Sequence, residues 1–260
     1  MKRTLSLAAA LVTLGLPAIA SAQVNFPKDF YYLALGDSVA AGEGAMPVTN
    51  GYVYQLYEQG TFGQKQQMEF ANGAIRGARS WELREQVAQA LCAEPARRPT
   101  VVTITAGAND FLRGDRDIIS IALRVTGAIN LLLNNGNPVA GPPVLDPVTG
   151  QPCRPLTNVT ILVSNYYRIP HPVPAIHQVL DDALSGFDQV LRFGLRLFPV
   201  PQGSRVAIVD LYAASEGRQG LVTIERRLGF SGPFDYDIHP TNLGHTFIAR
   251  EFEAVWQGLP

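Results

Sequence analysis

A chain of 260 residues, 47% hydrophobic and 17% charged, can bury a large core as one domain and is too apolar to be mainly disordered. A formal charge of −1, with no run of Lys or Arg, argues against a nucleic-acid-binding surface.

In chain order, the first residues read as a targeting segment. Lys2 and Arg3 precede an apolar stretch from Leu5 to Leu16, Pro17 breaks it, and Ala20-Ser21-Ala22 supplies small residues at cleavage positions. This predicts a signal peptide over residues 1–22, cleaved after Ala22, and export to the periplasm or the medium. The apolar part is short for a membrane span, the alternative being an N-terminal anchor. Residues 23–260 are then expected to form a single domain without an integral membrane segment.

Tyr31 to Leu35 is a short apolar run ending at Gly36, a buried-strand pattern. A short helix is expected over Gly51–Gln59 and a second strand over Met68–Ala71. Ser80 to Cys92 has helical spacing, with Trp81, Leu83, Val87 and Leu91 on related faces. Val101 to Ala106 predicts a strand, and Asp115 to Leu133 a long helix with Ile118, Ile119, Leu123 and Ile129 toward the core. Residues 134–156 are rich in Asn, Gly and Pro and long for a connection, so they predict a surface excursion, one that could rim the site, rather than a domain linker. Strands at Asn158–Val163 and Arg205–Val209 and helices at Ile176–Phe198 and Thr241–Gly258 complete the pattern. Strands separated by helices imply a three-layer α/β/α sandwich around a parallel sheet of about five strands.

Cys92 and Cys153 are the only cysteines. In an oxidising compartment they are expected to form a disulfide that anchors the excursion, the alternative being two separate buried thiols.

Ligands of open parallel sheets bind beyond the carboxyl ends of the strands. Ser38 follows the first strand, Gly77 follows the second, Asn109 follows the third, and Asp237 and His239 enter the last helix. A serine can cap a helix, an asparagine can close a turn, and a glycine can simply turn the chain. Of the four histidines, His171, His177, His239 and His245, the last is expected to pack or lie at the surface, and His171 sits in a proline-rich run.

Together these residues resemble the SGNH hydrolases, the GDSL esterase/lipase family, whose four blocks appear here in order. They are Gly36-Asp37-Ser38 with Gly42, Asn72-x-Ala74-x-x-Gly77, Gly107-x-Asn109-Asp110, and His239-Pro240 followed by Thr241 and Gly244. The resemblance implies a flavodoxin-like fold and a serine esterase or lipase that uses no metal or organic cofactor. It implies Ser38 as nucleophile, His239 as general base, and an oxyanion hole of the Ser38 and Gly77 backbone N–H groups with the Asn109 amide. The acid of the family lies three residues before the histidine, where this chain has Tyr236. Asp237, nearest to His239, is expected to take that place, with Asp235 as the alternative and a backbone carbonyl also able to orient the ring. The α/β-hydrolase pattern Gly-x-Ser-x-Gly is absent.

Phe111, Tyr166 and Tyr167 are candidates for a pocket that receives the acyl or alcohol group, or for ordinary loop packing. The expected partner is a small-molecule or lipid ester, and the protein is expected to act as a monomer. Two other readings stay open: an acyltransferase on the same serine, and an exported binding protein on a degenerate scaffold.

Overall fold

The structure, a computed structural model, describes residues 30–93, 98–223 and 237–260. The expected signal peptide, Asp235 and Tyr236 lie outside the described residues.

Five parallel strands form one sheet: β1 (Phe30–Gly36), β2 (Met68–Asn72), β3 (Val101–Thr105), β4 (Thr160–Ser164) and β5 (Arg205–Val209), in the order β2-β1-β3-β4-β5. The apolar runs have a simple cause. A parallel sheet is covered on both faces, so consecutive residues of its inner strands must all be apolar or satisfied. Every residue of β3 is buried, and its threonines are bonded: Thr103 Oγ1 lies 3.0 Å from the Tyr32 hydroxyl, and Thr105 Oγ1 lies 2.7 Å from that of Tyr52.

The helices are α1 (Tyr52–Glu58), α2 (Leu83–Leu91), α3 (Ala108–Leu112), α4 (Ile118–Asn134), α5 (Pro174–Gly194), α6 (Leu211–Ala214) and α7 (Asn242–Gln257). The chain moves one way from β1 to β2 and the other way from β2 through β5. Right-handed crossovers therefore put α1 on one face and α2, α4 and α5 on the other. The packing agrees: α4 lies against α2 and α5, and α1 lies against α7. Loops after β1 and β3 thus leave toward opposite faces, which opens a crevice at their carboxyl ends.

Several expectations are corrected. Ile119 and Leu123 of α4 are exposed, whereas Ile129 is buried as expected, with Ile121, Ala122 and Val125 beside it toward the core. The helix starts at its Asp117 cap, whose side chain accepts from Ser120 N–H, rather than at Asp115. Trp81 precedes α2 and is half exposed, so it does not share the buried stripe of Leu83, Val87 and Leu91. Asn158 is no strand residue: its φ of 54° turns the chain before Thr160. The short helices α3 and α6 are too brief to show a periodicity.

Residues 134–156 line no part of the cleft described below. They are tied down along α2 and α4. The Asn135 amide donates to Val144 O at 2.9 Å and Cys153 O at 2.7 Å, and Arg84 donates to Pro142 O. Cys92 and Cys153 are joined by a disulfide across 61 residues. Closing a loop of that length removes enough unfolded-state freedom to stabilise by about 2–4 kcal/mol. The double variant Cys92→Ser/Cys153→Ser is therefore expected to lose about that much in urea denaturation. Equal midpoints would show that the bridge adds no net stability.

Candidate active site

The first strand ends in a turn that only glycine can make. Gly36 has φ 131°, and a Cβ there would stand 2.0 Å from Thr105 O on β3. Its peptide groups are held by the buried side chain of Gln86 on α2: Gly36 N–H donates to Oε1 at 2.7 Å, and Nε2–H donates to Gly36 O at 2.8 Å. Asp37 N–H continues the bonding to Thr105 O at 3.0 Å. Ser38 therefore emerges from rigid backbone at the crevice.

From the other end of the chain, His239 Nε2 comes to 2.9 Å from Ser38 Oγ, and His239 Nδ1 lies 2.6 Å from Asp237 Oδ1. The same Oδ1 accepts His239 N–H at 3.1 Å, an Asx-turn that orients a carboxylate two residues before the ring. The Tyr167 hydroxyl donates to Ile238 O at 3.0 Å, and Thr223 N–H to His239 O at 3.2 Å, which fix this loop.

Asn109 opens α3, where its Nδ2–H donates to Ala78 O at 3.1 Å, beside Gly77. Gly77 lies in the turn that Ala78 N–H closes on Ile75 O. Asp110 faces away and is buried. It accepts Ser80 N–H and Oγ–H and pairs with Arg124 at 3.3 Å, so it ties α3 to the loop carrying Gly77.

Ser38, Gly77, Asn109 and His239 line one cleft of about 360 Å³, together with Glu43, Arg113, Tyr166, Tyr167 and Ile169. That volume falls within the range of about 300–1,000 Å³ usual for small-molecule sites. Phe111 is not in the cleft itself. It lines an adjoining apolar recess with Ile121, Leu180, Leu184 and Phe187, which meets the cleft at Ala108, Leu112, Tyr166 and Ile169. His171 and His177 line neither space. Among the described residues, no group of three or more His, Cys, Asp or Glu side chains gathers as metal ligands would.

The profile of the GDSL-like lipase/acylhydrolase family matches residues 34–247. The chain belongs to this family. Ester hydrolysis is the activity that membership carries, and small-molecule esters are its substrates. No curated protein matches the chain. Among solved structures, a lipolytic protein of the G-D-S-L family from Veillonella parvula DSM 2008 is 17% identical, with a TM-score of 0.55, covering 88% of this chain and 100% of that one. A lipase from a goat rumen metagenome is 21% identical, with a TM-score of 0.51 over 86% of this chain and 96% of that one. A carbohydrate esterase family 3 protein from Talaromyces cellulolyticus is 14% identical, with a TM-score of 0.52 over 89% of this chain and 100% of that one. At such identities the likeness is one of fold.

Three buried polar residues in or beside the blocks of this GDSL-like hydrolase brace the site. Asp110 is one, as above. Asp37 is buried, with Val39 N–H on Oδ1 at 3.0 Å and the Tyr166 hydroxyl on Oδ2. Burial pushes its carboxyl up to about 7, against the pull of those two donors. His245 on α7 is fully buried: Nδ1 accepts Tyr52 N–H at 3.3 Å, and Nε2–H donates to Glu43 O at 2.9 Å. That leaves a neutral ring, and burial lowers its pKa to about 4.

These two groups pull the stability of the GDSL-like hydrolase in opposite directions with pH. Folded Asp37 keeps a proton that the unfolded chain releases near pH 4, so its contribution is present below that pH and is lost as pH rises from about 4 to about 7. Folded His245 refuses a proton that the unfolded chain takes near pH 6.5, so its contribution is present above that pH and is lost as pH falls toward about 4. In Asp37→Asn only the His245 slope should remain. The wild-type stability minus the variant stability should then fall by as much as about 3–4 kcal/mol between pH 4 and pH 7.5. Urea midpoints that run parallel across this range would contradict it.

Gln86 and Glu43 were missed in the sequence. Gln86 left a faint signal, a polar residue one turn from Leu83 on the buried stripe of α2. Glu43 left none, since nothing in its neighbours announces that His239 packs beside it.

Proposed function

We propose that the protein is an exported serine esterase acting through an acyl-enzyme on Ser38, with His239 as general base and Asp237 as its orienting carboxylate. The observation that carries this reading is the continuous chain from Asp237 Oδ1 to His239 Nδ1, and from His239 Nε2 to Ser38 Oγ, beside Asn109 and Gly77 in one cleft.

In this mechanism His239 Nε2 takes the Ser38 proton as Oγ attacks the ester carbonyl. The developing oxyanion accepts from Ser38 N–H, Gly77 N–H and the second amide hydrogen of Asn109, the first being engaged with Ala78 O. The imidazolium then gives its proton to the departing alcohol, and water repeats the sequence in reverse to free Ser38. Asp237 keeps the Nδ1–H tautomer, so that Nε2 turns a lone pair to Ser38.

The recess lined by Phe111, Leu180 and Phe187, about 30 Å³ in volume, supports no more than the end of a short apolar acyl group, with Tyr166 and Leu112 at its mouth. Tyr166 and Tyr167 serve this cleft while bracing Asp37 and Ile238. Export is supported by the leader-like residues 1–22 and by the disulfide, which persists in oxidising compartments. No described helix is long and apolar enough to cross a membrane.

The decisive test is a panel of p-nitrophenyl esters of graded chain length together with fluorophosphonate labelling. Turnover of at least one ester and a phosphonylated Ser38 peptide are expected. No hydrolysis of any ester and no label on Ser38 would end this reading.

A further inference from the structure

The carboxylate of Glu43 has no part in the roles assigned above, yet its Oε2 lies 3.4 Å from His239 Nε2, the nitrogen that faces Ser38. Its position is built rather than incidental. Its N–H donates to Ser38 O at 2.9 Å, and its carbonyl accepts from buried His245 Nε2 at 2.9 Å. The next residue, Gly44, has φ 89°, and a Cβ there would meet Pro240 O at 2.2 Å and His239 Cβ at 2.9 Å. The loop carrying Glu43 thus packs directly on the segment carrying His239. The side chain is about one-third exposed, lines the cleft, and has Arg76 Nε at 4.0 Å from the same oxygen.

We propose that Glu43 positions the water that deacylates Ser38, and so favours hydrolysis over transfer to an alcohol. The inference rests on the serine-esterase reading above. Once Ser38 is acylated, Nε2 is available to a new nucleophile. A water there gives one hydrogen to Nε2 and directs the other at Glu43, which aims its oxygen lone pair at the acyl carbon. As the new C–O bond forms, Nε2 takes the first proton and the carbonyl electrons move to the oxyanion. Collapse breaks the bond to Ser38 Oγ, which receives that proton back from Nε2. The second hydrogen stays on the product acid, later lost to solvent, and Glu43 is unchanged. A simple alcohol has a single hydroxyl hydrogen, which Nε2 requires, and therefore draws no aid from Glu43. Orientation of this kind is worth roughly 10–100-fold in rate.

The test is pre-steady-state hydrolysis of p-nitrophenyl acetate, with and without methanol. In Glu43→Ala the burst that reports acylation should persist. Deacylation by water should slow roughly 10–100-fold, and the ratio of methyl acetate to acetate should rise by a similar factor. In Glu43→Gln, whose amide oxygen still accepts the second hydrogen, both should return toward wild type. Unchanged deacylation in Glu43→Ala, or hydrolysis and methanolysis slowed equally, would overturn the proposal while leaving the esterase reading intact. A wild-type protein that hydrolyses no p-nitrophenyl ester and takes no fluorophosphonate label on Ser38 would overturn the esterase reading, and this inference with it.

Discussion

Replacing Ser38 with alanine is expected to lower kcat by about 10⁶, with KM little changed, because it removes the only atom that forms the acyl bond. The loss should not be partitioned among the residues. Nucleophile, base and carboxylate act as a unit, so His239→Ala should fall about as far, and the double variant scarcely further. A residual rate about 10³–10⁴ above the uncatalysed reaction should survive from the oxyanion donors and binding alone. The substitution leaves the supports of the turn untouched, since Gly36 is held by Gln86 and Asp37 by Thr105 and Tyr166. Thermal unfolding should therefore match wild type, while a saturating p-nitrophenyl acetate assay reads the loss. A variant retaining more than about a tenth of wild-type kcat would remove Ser38 from the mechanism, since so small a loss is under 1.4 kcal/mol of barrier.

Asp237→Asn is expected to lower kcat by about 10⁴. The oxygen that accepts His239 N–H is the same one that faces Nδ1, so an asparagine that turns its NH₂ to Nδ1 also gives up the Asx-turn bond. The partner of Nδ1 changes with it. An amide that turns its NH₂ toward Nδ1 stabilises the tautomer with the proton on Nε2, which then cannot accept from Ser38. The charge that would stabilise the imidazolium is lost as well. Asp235→Asn, by contrast, should stay within a few-fold of wild type. If the Asp235 variant is crippled and the Asp237 variant is not, the assignment of the carboxylate is wrong.

Much of the architecture was legible because a two-sided parallel sheet demands apolar runs, and Tyr31–Leu35, Val101–Ala106 and Arg205–Val209 supply them. Helix existence was legible for the same kind of reason, whereas helix facing was less so. Ile119 and Leu123 obey a helical period but lie on a flank that stays exposed. Only the packing of α2, α5 and the sheet decides which stripe of α4 is covered. The excursion over 134–156 was legible as irregular chain but not as to place, because the anchors that fix its position, Cys92 and Arg84, are long-range contacts.

The site divides in the same way. By itself the sequence determined which chemistry was on offer: a serine, a histidine, an amide and nearby carboxylates, in ordered blocks that each follow a strand or precede the last helix. Backbone geometry adjacent to those residues is local, so Gly36 before Ser38 and Asp237 before His239 carry information about their neighbours. The tertiary structure alone decided what meets what across the fold. It brought Gln86 onto Gly36, buried Asp37 under Tyr166, and set Glu43 beside His239 through residues some 200 positions apart. Hydrogen bonds and desolvation act over a few ångströms, and distance along the chain carries no record of them.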